Sequence, residues 1–369
     1  MSRIILAPVA HKMLRLAFIA FFGLKPLLAT AEDLAFSQKL TDSLSAEISE
    51  QGLSVIVAVS SARRPSCQEE FGTFAEDGLS GVKTLVDLGS ITKTVTAAAL
   101  LTLVESDQIK LSTRLDEVFR DIPADKAQIT IRQLLTHRAG FPESIGSDEE
   151  KIGKEDYLSR LFATPLLSQP DQNYRYSNVG YSLLAAVIEQ VSNSSYETYL
   201  HSVVLAPNNL DPIGYELAYD ETRSAISGRS WLTHFQKAPI DKASWGGLPV
   251  GWNLVGNGGA VASPENFSNF LHALFSGRIV SRELLHSGFR DTQDEPSSED
   301  YGFGMVKIFE GGKTVFTHNG GNDLFSAEWR FVLEDETLLF TAGLGEDAFS
   351  AMNSLVNVHA RAVSICALQ

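Results

Sequence analysis

Strand character in this 369-residue chain is confined to its two ends, which restricts the sheet it can build. Near the start, LSVIVAVS (53–60) is β-branched and apolar and reads as a strand buried on both faces. EEFGTFAEDG (69–78) reads as its hairpin partner, with residues 63–67 in the connection. Near the end, YGFGMVKIFE, KTVFTH, FSAEWRFVL and ETLLFTAGL follow one another between 301 and 344, separated by Gly-Gly or Glu-Asp turns. The middle carries helical patterns, clearest in TIRQLLTH (130–137), GYSLLAAVIEQVSN (180–193) and PENFSNFLHALFSG (264–277). Residues 32–51 and 346–367 read as amphipathic helices at the two ends. One sheet built from both termini and holding a helical insertion satisfies this order. The expected division is a sheet domain from 32–92 and 297–369 and a mainly helical domain from 93–296.

Residues 1–31 have the form of an export signal. Arg3, Lys12 and Arg15 give a basic start, LAFIAFFGL (16–24) a short apolar core, and ATA (29–31) a small-x-small cleavage site. The apolar run is broken by Lys25 and Pro26 and is short for a bilayer span, so no stable membrane span is expected after cleavage. The expected location is secreted or periplasmic. The formal charge of −15 argues against nucleic acid or an anionic membrane surface as partner. Cys67 and Cys366 are the chain's two cysteines, and an oxidising compartment would let them pair if the chain ends meet. Eight scattered histidines and these distant cysteines show no metal-ligand spacing, and no dinucleotide fingerprint or phosphate loop occurs, so no metal or cofactor is expected.

DLGSITKTVTAAALLTLVES (87–106) poses a sharper question. Its Lys93 falls in the first turn of an otherwise uncharged helix, where the helix dipole disfavours a cation. Ser90 lies three residues earlier on the same face. Burial of such a lysine depresses its pKa and makes a neutral amine available as a base for the serine. Ser90 follows Gly89 at a strand-to-helix junction, where its own N–H is free to face a developing oxyanion. Alone, the pair also fits a helix-start serine followed by a surface lysine.

Two further motifs follow in order: Tyr176-Ser177-Asn178 just before a helix, and His318-Asn319-Gly320-Gly321 on the last strands. Here the chain resembles the serine penicillin-recognising hydrolases, the group of class C β-lactamases, serine DD-carboxypeptidases, D-aminopeptidases and related esterases. That group carries Ser-x-x-Lys, Tyr-x-Asn and a Lys/His-x-Gly triplet in this sequence order. ITIRQLLTHRAGFPE (129–143), GNGGAVASPENFSNFL and YGFGMVK resemble further family segments, so the likeness covers nearly the whole mature chain. It implies a β-lactamase-like antiparallel sheet flanked by helices. It also implies Ser90 as the acylated nucleophile, Lys93 as proton acceptor, and Tyr176 as proton relay, a task a tyrosine can perform if the adjacent lysine charge lowers its pKa. Asn178 would hold Lys93 and bind the substrate amide, with His318 and Asn319 beside the substrate. The N–H groups of Ser90 and Gly321 would form the oxyanion hole, and Gly320 and Gly321 would let substrate lie against the strand.

The triplet departs from the Lys-Thr-Gly of class C β-lactamases. A histidine is mostly neutral at pH 7 and reaches less far toward a substrate carboxylate. The expected activity is therefore ester or amide hydrolysis on a small-molecule or peptide acyl substrate. β-Lactam hydrolysis and an inactive cell-wall-binding protein of the same fold are the alternatives. His137, in LLTHRAG, reads as a buried structural residue rather than the base of a Ser-His-Asp site, and no Gly-x-Ser-x-Gly elbow exists.

Overall fold

The computed structural model describes residues 41–61 apart from 44, 47 and 51, together with 64–71, 85–218, 249–289, 299–321 and 325–344. Strands β1 (Ser54–Ser61) and β2 (Arg64–Phe71) form the first hairpin. Two short strands, β3 (Val86–Asp87) and β4 (Val261–Ala262), pair with each other apart from the main sheet. β5 (Glu299–Tyr301), β6 (Val306–Glu310), β7 (Lys313–Gly321), β8 (Phe325–Val332) and β9 (Thr337–Leu344) follow as a meander. The seven-stranded sheet has the order β2-β1-β9-β8-β7-β6-β5 and is antiparallel throughout. β1 pairs with β9 from Ser54↔Leu344 to Ser61↔Thr337, so the two ends of the sequence do close one sheet.

The hairpin partner of β1 lies earlier than the sequence suggested. β2 covers Arg64–Phe71, so Cys67 is inside the strand opposite Val59 rather than in the connection. The expected strand beyond 71 falls in residues 72–84, outside the described residues. Polar Gln68, Glu69 and Glu70 suit an edge strand, which needs no continuous apolar run. Cys67 is disulfide-bonded. Cys366, the expected export signal and the expected C-terminal helix fall outside the described residues.

Helix α1 (Thr92–Glu105) runs through the middle of the core, with every residue from Thr92 to Leu101 buried. A helix that is apolar all round has no solvent face to offer. Its threonines survive burial because each has a partner. Thr94 donates to the Gly304 carbonyl at 2.7 Å and Thr96 to the Gly256 carbonyl at 2.6 Å. Helices α2 (Ile131–Leu135) and α3 (Lys154–Ala163) pack against α4 (Asn178–Ser192), which packs against α1. α5 (Pro264–Phe275) lies against β1 and β9. Ser263 caps α5 by accepting from Asn266 N at 3.2 Å, and Ser177 caps α4 by accepting from Gly180 N at 3.1 Å. Among the described residues, no helix is long and apolar enough to cross a membrane.

Candidate active site

Ser90 sits where β3, a 3₁₀ turn (Gly89–Ile91) and α1 meet the end of β7. Gly89 has φ +47°, and its N–H donates to Asp87 Oδ1 at 2.7 Å, which fixes the turn. The approach of β7 is too close for side chains. A Cβ on Gly320 would lie 2.4 Å from Ser90 N, and one on Gly89 would lie 2.6 Å from Gly321 N. Both glycines are therefore required by contact. β6 pairs with β7 only as far as Val306↔Thr317, so the backbone from His318 to Gly321 is paired with β8 alone and leaves one edge open beside Ser90.

Lys93 Nζ stands 3.0 Å from Ser90 Oγ and donates to the Asn257 carbonyl at 2.8 Å. The lysine is 0 % exposed. Burial pulls its pKa down to about 7, against the weaker opposing pull of the Asp148 and Glu143 carboxylates. The awkward cation of the sequence is thus an amine that sheds its charge near neutrality. Its Nζ also lies 4.8 Å from the centre of the Tyr176 ring.

Tyr176 hydrogen-bonds Ser90, but its hydroxyl is not acidified by Lys93. Burial pushes its pKa up, and the Ser90 hydrogen bond only partly offsets this. A base that is itself losing its charge near pH 7 has little field with which to stabilise a phenolate. Tyr176 is therefore a neutral phenol at rest. The turn carrying it is held by His137, whose Nδ1 accepts from Ser177 N at 3.1 Å. The His137 ring lies 4.5 Å from those of both Tyr176 and Tyr301. Burial, Lys93 and His318 keep His137 uncharged, so it forms a wall behind the tyrosines, as its sequence context suggested.

Asn178 opens α4, with its N–H donating to the Glu143 carbonyl at 2.9 Å. Its Oδ1 is buried without a partner, so it does not accept from Lys93. Asn257 takes that place through its backbone carbonyl. Backbone acceptors leave no mark in residue type, and the only sequence trace of this one is its place in the GNGGAV segment.

His318 is buried with both ring nitrogens engaged. Nδ1 lies 2.6 Å from the Asn319 carbonyl, and Nε2 lies 3.1 Å from the Tyr301 hydroxyl. A carbonyl cannot donate, so Nδ1 carries the proton and Nε2 accepts from Tyr301. Burial, then Lys93, drives the pKa down to about 3, so the ring is neutral. Tyr301 was not among the residues singled out from sequence, because its role exists only through this pairing.

Two cavities meet at Ser90, Tyr176 and Gly321. The larger, about 490 Å³, is walled by Tyr174, Tyr301, Val306 and Ile308 and ends at Thr317, Glu328 and Arg330. Arg330 is already occupied: Nε donates to Glu328 Oε1 and Nη1 to Glu310 Oε2, each at 2.8 Å. The smaller, about 290 Å³, is lined by Asp87, Glu143, Asp148, Asn178 and Asn257. The structure thus brings the other seven sequence-predicted residues around Ser90. Lys93 and Tyr176 touch it directly, Gly320 abuts its backbone, and His318 lines the larger cavity with both ring nitrogens already engaged.

Residues 51–342 match the family model described as Beta-lactamase. The chain belongs to the beta-lactamase family. Members of this family are serine hydrolases, among them penicillin-binding proteins and D-amino-acid amidases. Among curated relatives, Penicillin-binding protein 4* of Bacillus subtilis (strain 168) is 26% identical over 290 residues, which are 71% of this chain and 61% of that protein. The chain spans between 31% and 61% of the length of the first curated relatives it matches. The octameric penicillin-binding protein homologue from Pyrococcus abyssi superposes with a TM-score of 0.68 at 21% identity, covering 87% of this chain and 77% of its own. The D-amino acid amidase from Ochrobactrum anthropi SV3, complexed with L-phenylalanine, gives 0.69 at 20% identity, covering 88% and 98%. These two structural likenesses establish the same fold, a mixed α/β architecture with its sheet closed by both chain ends.

Proposed function

We propose that this beta-lactamase-family serine hydrolase is exported and forms an acyl-enzyme on Ser90 from an ester or amide whose reactive end carries no carboxylate. One observation carries the reading: a fully buried amine, with its pKa near 7, lies 3.0 Å from Ser90 Oγ. Lys93 in its neutral form takes the Ser90 proton as Oγ attacks the acyl carbon. The carbonyl oxygen gains negative charge and is met by the N–H groups of Ser90 and Gly321. As the tetrahedral intermediate collapses, the bond to the leaving group breaks. Tyr176 hands its hydroxyl proton to the departing oxygen or nitrogen, and the Lys93 ammonium, beside the Tyr176 ring, returns a proton to the phenolate oxygen. Water then attacks the acyl-enzyme, its proton passing to Lys93 and from there to Ser90 Oγ as the acyl–oxygen bond breaks, which releases the acid and restores the serine.

Charge around the serine supports the substrate class. Neutral His318 replaces a cation, Arg330 is held by two carboxylates, and Glu143 and Asp148 line the smaller cavity. Such walls disfavour the carboxylate of a β-lactam or a peptide ending in D-alanine and favour a neutral or amine-bearing acyl group. A D-amino-acid amide or small ester fits, and a D-amino acid amidase is among the structural neighbours. The test is a panel of p-nitrophenyl esters, D-amino-acid amides, D-alanyl peptides and nitrocefin, run beside fluorophosphonate labelling of the Ser90 peptide. Labelling and ester or amide turnover, both abolished in Ser90→Ala, are expected. Labelling that persists in Ser90→Ala, or turnover confined to nitrocefin, overturns the reading.

A further inference from the structure

Lys93 needs more than a low pKa to serve Ser90, because its lone pair must point at the serine. A neutral amine has two N–H bonds and one lone pair. An acceptor with no proton to give, set on the far side of Nζ, takes one N–H and leaves the lone pair free to turn to Ser90. The Asn257 carbonyl is such an acceptor, 2.8 Å from Nζ. The Asn178 side-chain oxygen, the obvious alternative, has no hydrogen-bond partner.

Side-chain bonds tie the loop that carries that carbonyl to α4. Asn257 is 2 % exposed, and its Nδ2 donates to Ser182 Oγ at 2.8 Å and to the Asn253 carbonyl. Ser182, fully buried on α4, passes its own proton to the Val255 carbonyl at 2.9 Å. The rest of the loop is pinned separately. Thr96 donates to the Gly256 carbonyl at 2.6 Å, and the Tyr215 hydroxyl accepts from Gly256 N at 3.0 Å. The turn is also held from within, Asn257 N and Gly258 N each donating to the Leu254 carbonyl at 3.0 Å, so the side-chain bonds of Asn257 act on how the turn as a whole sits against α4.

We infer that Ser182 and Asn257 are positioning residues for Lys93, their side chains clipping the 253–258 loop to α4 so that the Asn257 carbonyl aims the amine's lone pair at Ser90. The inference rests on Lys93 being the base. Ser182 lines neither cavity; its hydroxyl meets Asn257 Nδ2, the Val255 carbonyl and the Tyr157 hydroxyl, so it acts on the reaction through the loop and not by touching substrate. Without the clip, the turn loses its anchor to α4, and the Asn257 carbonyl shifts away from Lys93 Nζ.

The experiment measures fluorophosphonate inactivation of the purified full chain and separates the rate at saturation, kinact, from the binding constant, KI. Asn257→Ala should lower kinact by about 100-fold, the scale of a misplaced catalytic group, and leave KI unchanged. Ser182→Ala, which deletes one hydroxyl within a helix, should lower kinact by about tenfold, again without moving KI. If Asn257→Ala does not fold, judged by circular dichroism, Ser182→Ala decides. Wild-type kinact in folded Ser182→Ala overturns the clip, as does a KI that rises in step with the loss of kinact, which marks general distortion of the site. Lys93→Ala inactivated at the wild-type rate removes the base reading itself, an outcome separate from either clip variant.

Discussion

The two walls of the Ser90 cleft handle buried polar groups in opposite ways. On the helical wall, α1, α4 and the 253–258 loop bury Lys93 among neutral partners, with carboxylates acting only from a distance. The result is a cation poised to lose its proton. On the strand wall, β7 and β8 bury His318 between a carbonyl and a phenol and pair Arg330 with two glutamates. The histidine is driven fully neutral, and the arginine charge is spent internally. The first arrangement leaves an amine near its pKa, and the second leaves, among the described residues, no unpaired cation for substrate. In the proposed reading, chemistry and selectivity belong to different walls.

The sharpest way to break this division is to remove the amine. Lys93→Ala should reduce ester and amide turnover by about 1,000- to 10,000-fold, the upper range for a general base. Steady-state kinetics on a p-nitrophenyl ester check this, with retained Tm showing that the fold persists. A loss under tenfold would put the base elsewhere. Tyr176→Phe comes next. A neutral phenol that supplies a leaving-group proton matters most where the leaving group is poor, so turnover of an amide should fall by about 100-fold. A p-nitrophenyl ester, whose leaving group departs as an anion, should be affected far less. Equal losses on both substrates would assign Tyr176 another task.

These two residues were legible in sequence because each motif couples residue type to a local position. A lysine three residues after a serine shares its helical face, and Tyr-Ser-Asn marks the start of α4. The sheet was legible for a similar reason, since strand patterns at both ends leave few alternatives to one shared sheet. Asn257 and Tyr301 were hidden because their contributions, a backbone carbonyl and a hydroxyl aimed at His318, arise only from tertiary contact. Whether Lys93 acidifies Tyr176 stayed open in the sequence, which reveals the neighbouring lysine but not the burial that outweighs it. The end of the first hairpin was displaced because an edge strand tolerates polar residues that the eye assigns to a connection.

The pH profile offers a smaller effect with a definite sign. The folded pKa of Lys93 is lowered to about 7, so the amine is protonated and idle below that pH and free above it. The groups acting on it are Asp148 and Glu143, which pull the pKa up, while His137 and His318 are neutral through this range. The rate should therefore fall about tenfold per pH unit below 7 and level off above it. An acid limb centred below pH 5 would point to a carboxylate instead, and the limb should vanish in Lys93→Ala.

The smallest expected effect tests the strand wall alone. His318→Lys places an ammonium at the family's usual position, in a cavity whose other cation is already paired. The substitution also removes the acceptor for the Tyr301 hydroxyl, so some loss on every substrate is expected. The ratio of kcat/KM for nitrocefin to that for a neutral p-nitrophenyl ester cancels that shared loss. A charge-assisted hydrogen bond to the nitrocefin carboxylate contributes about 1.5 kcal/mol, which corresponds to roughly a tenfold rise in this ratio. Added salt should shrink the rise if it comes from the new charge. An unchanged ratio would mean that carboxylates are turned away by the acidic residues of the smaller cavity. In that case Glu143→Gln and Asp148→Asn should move the ratio where His318→Lys did not.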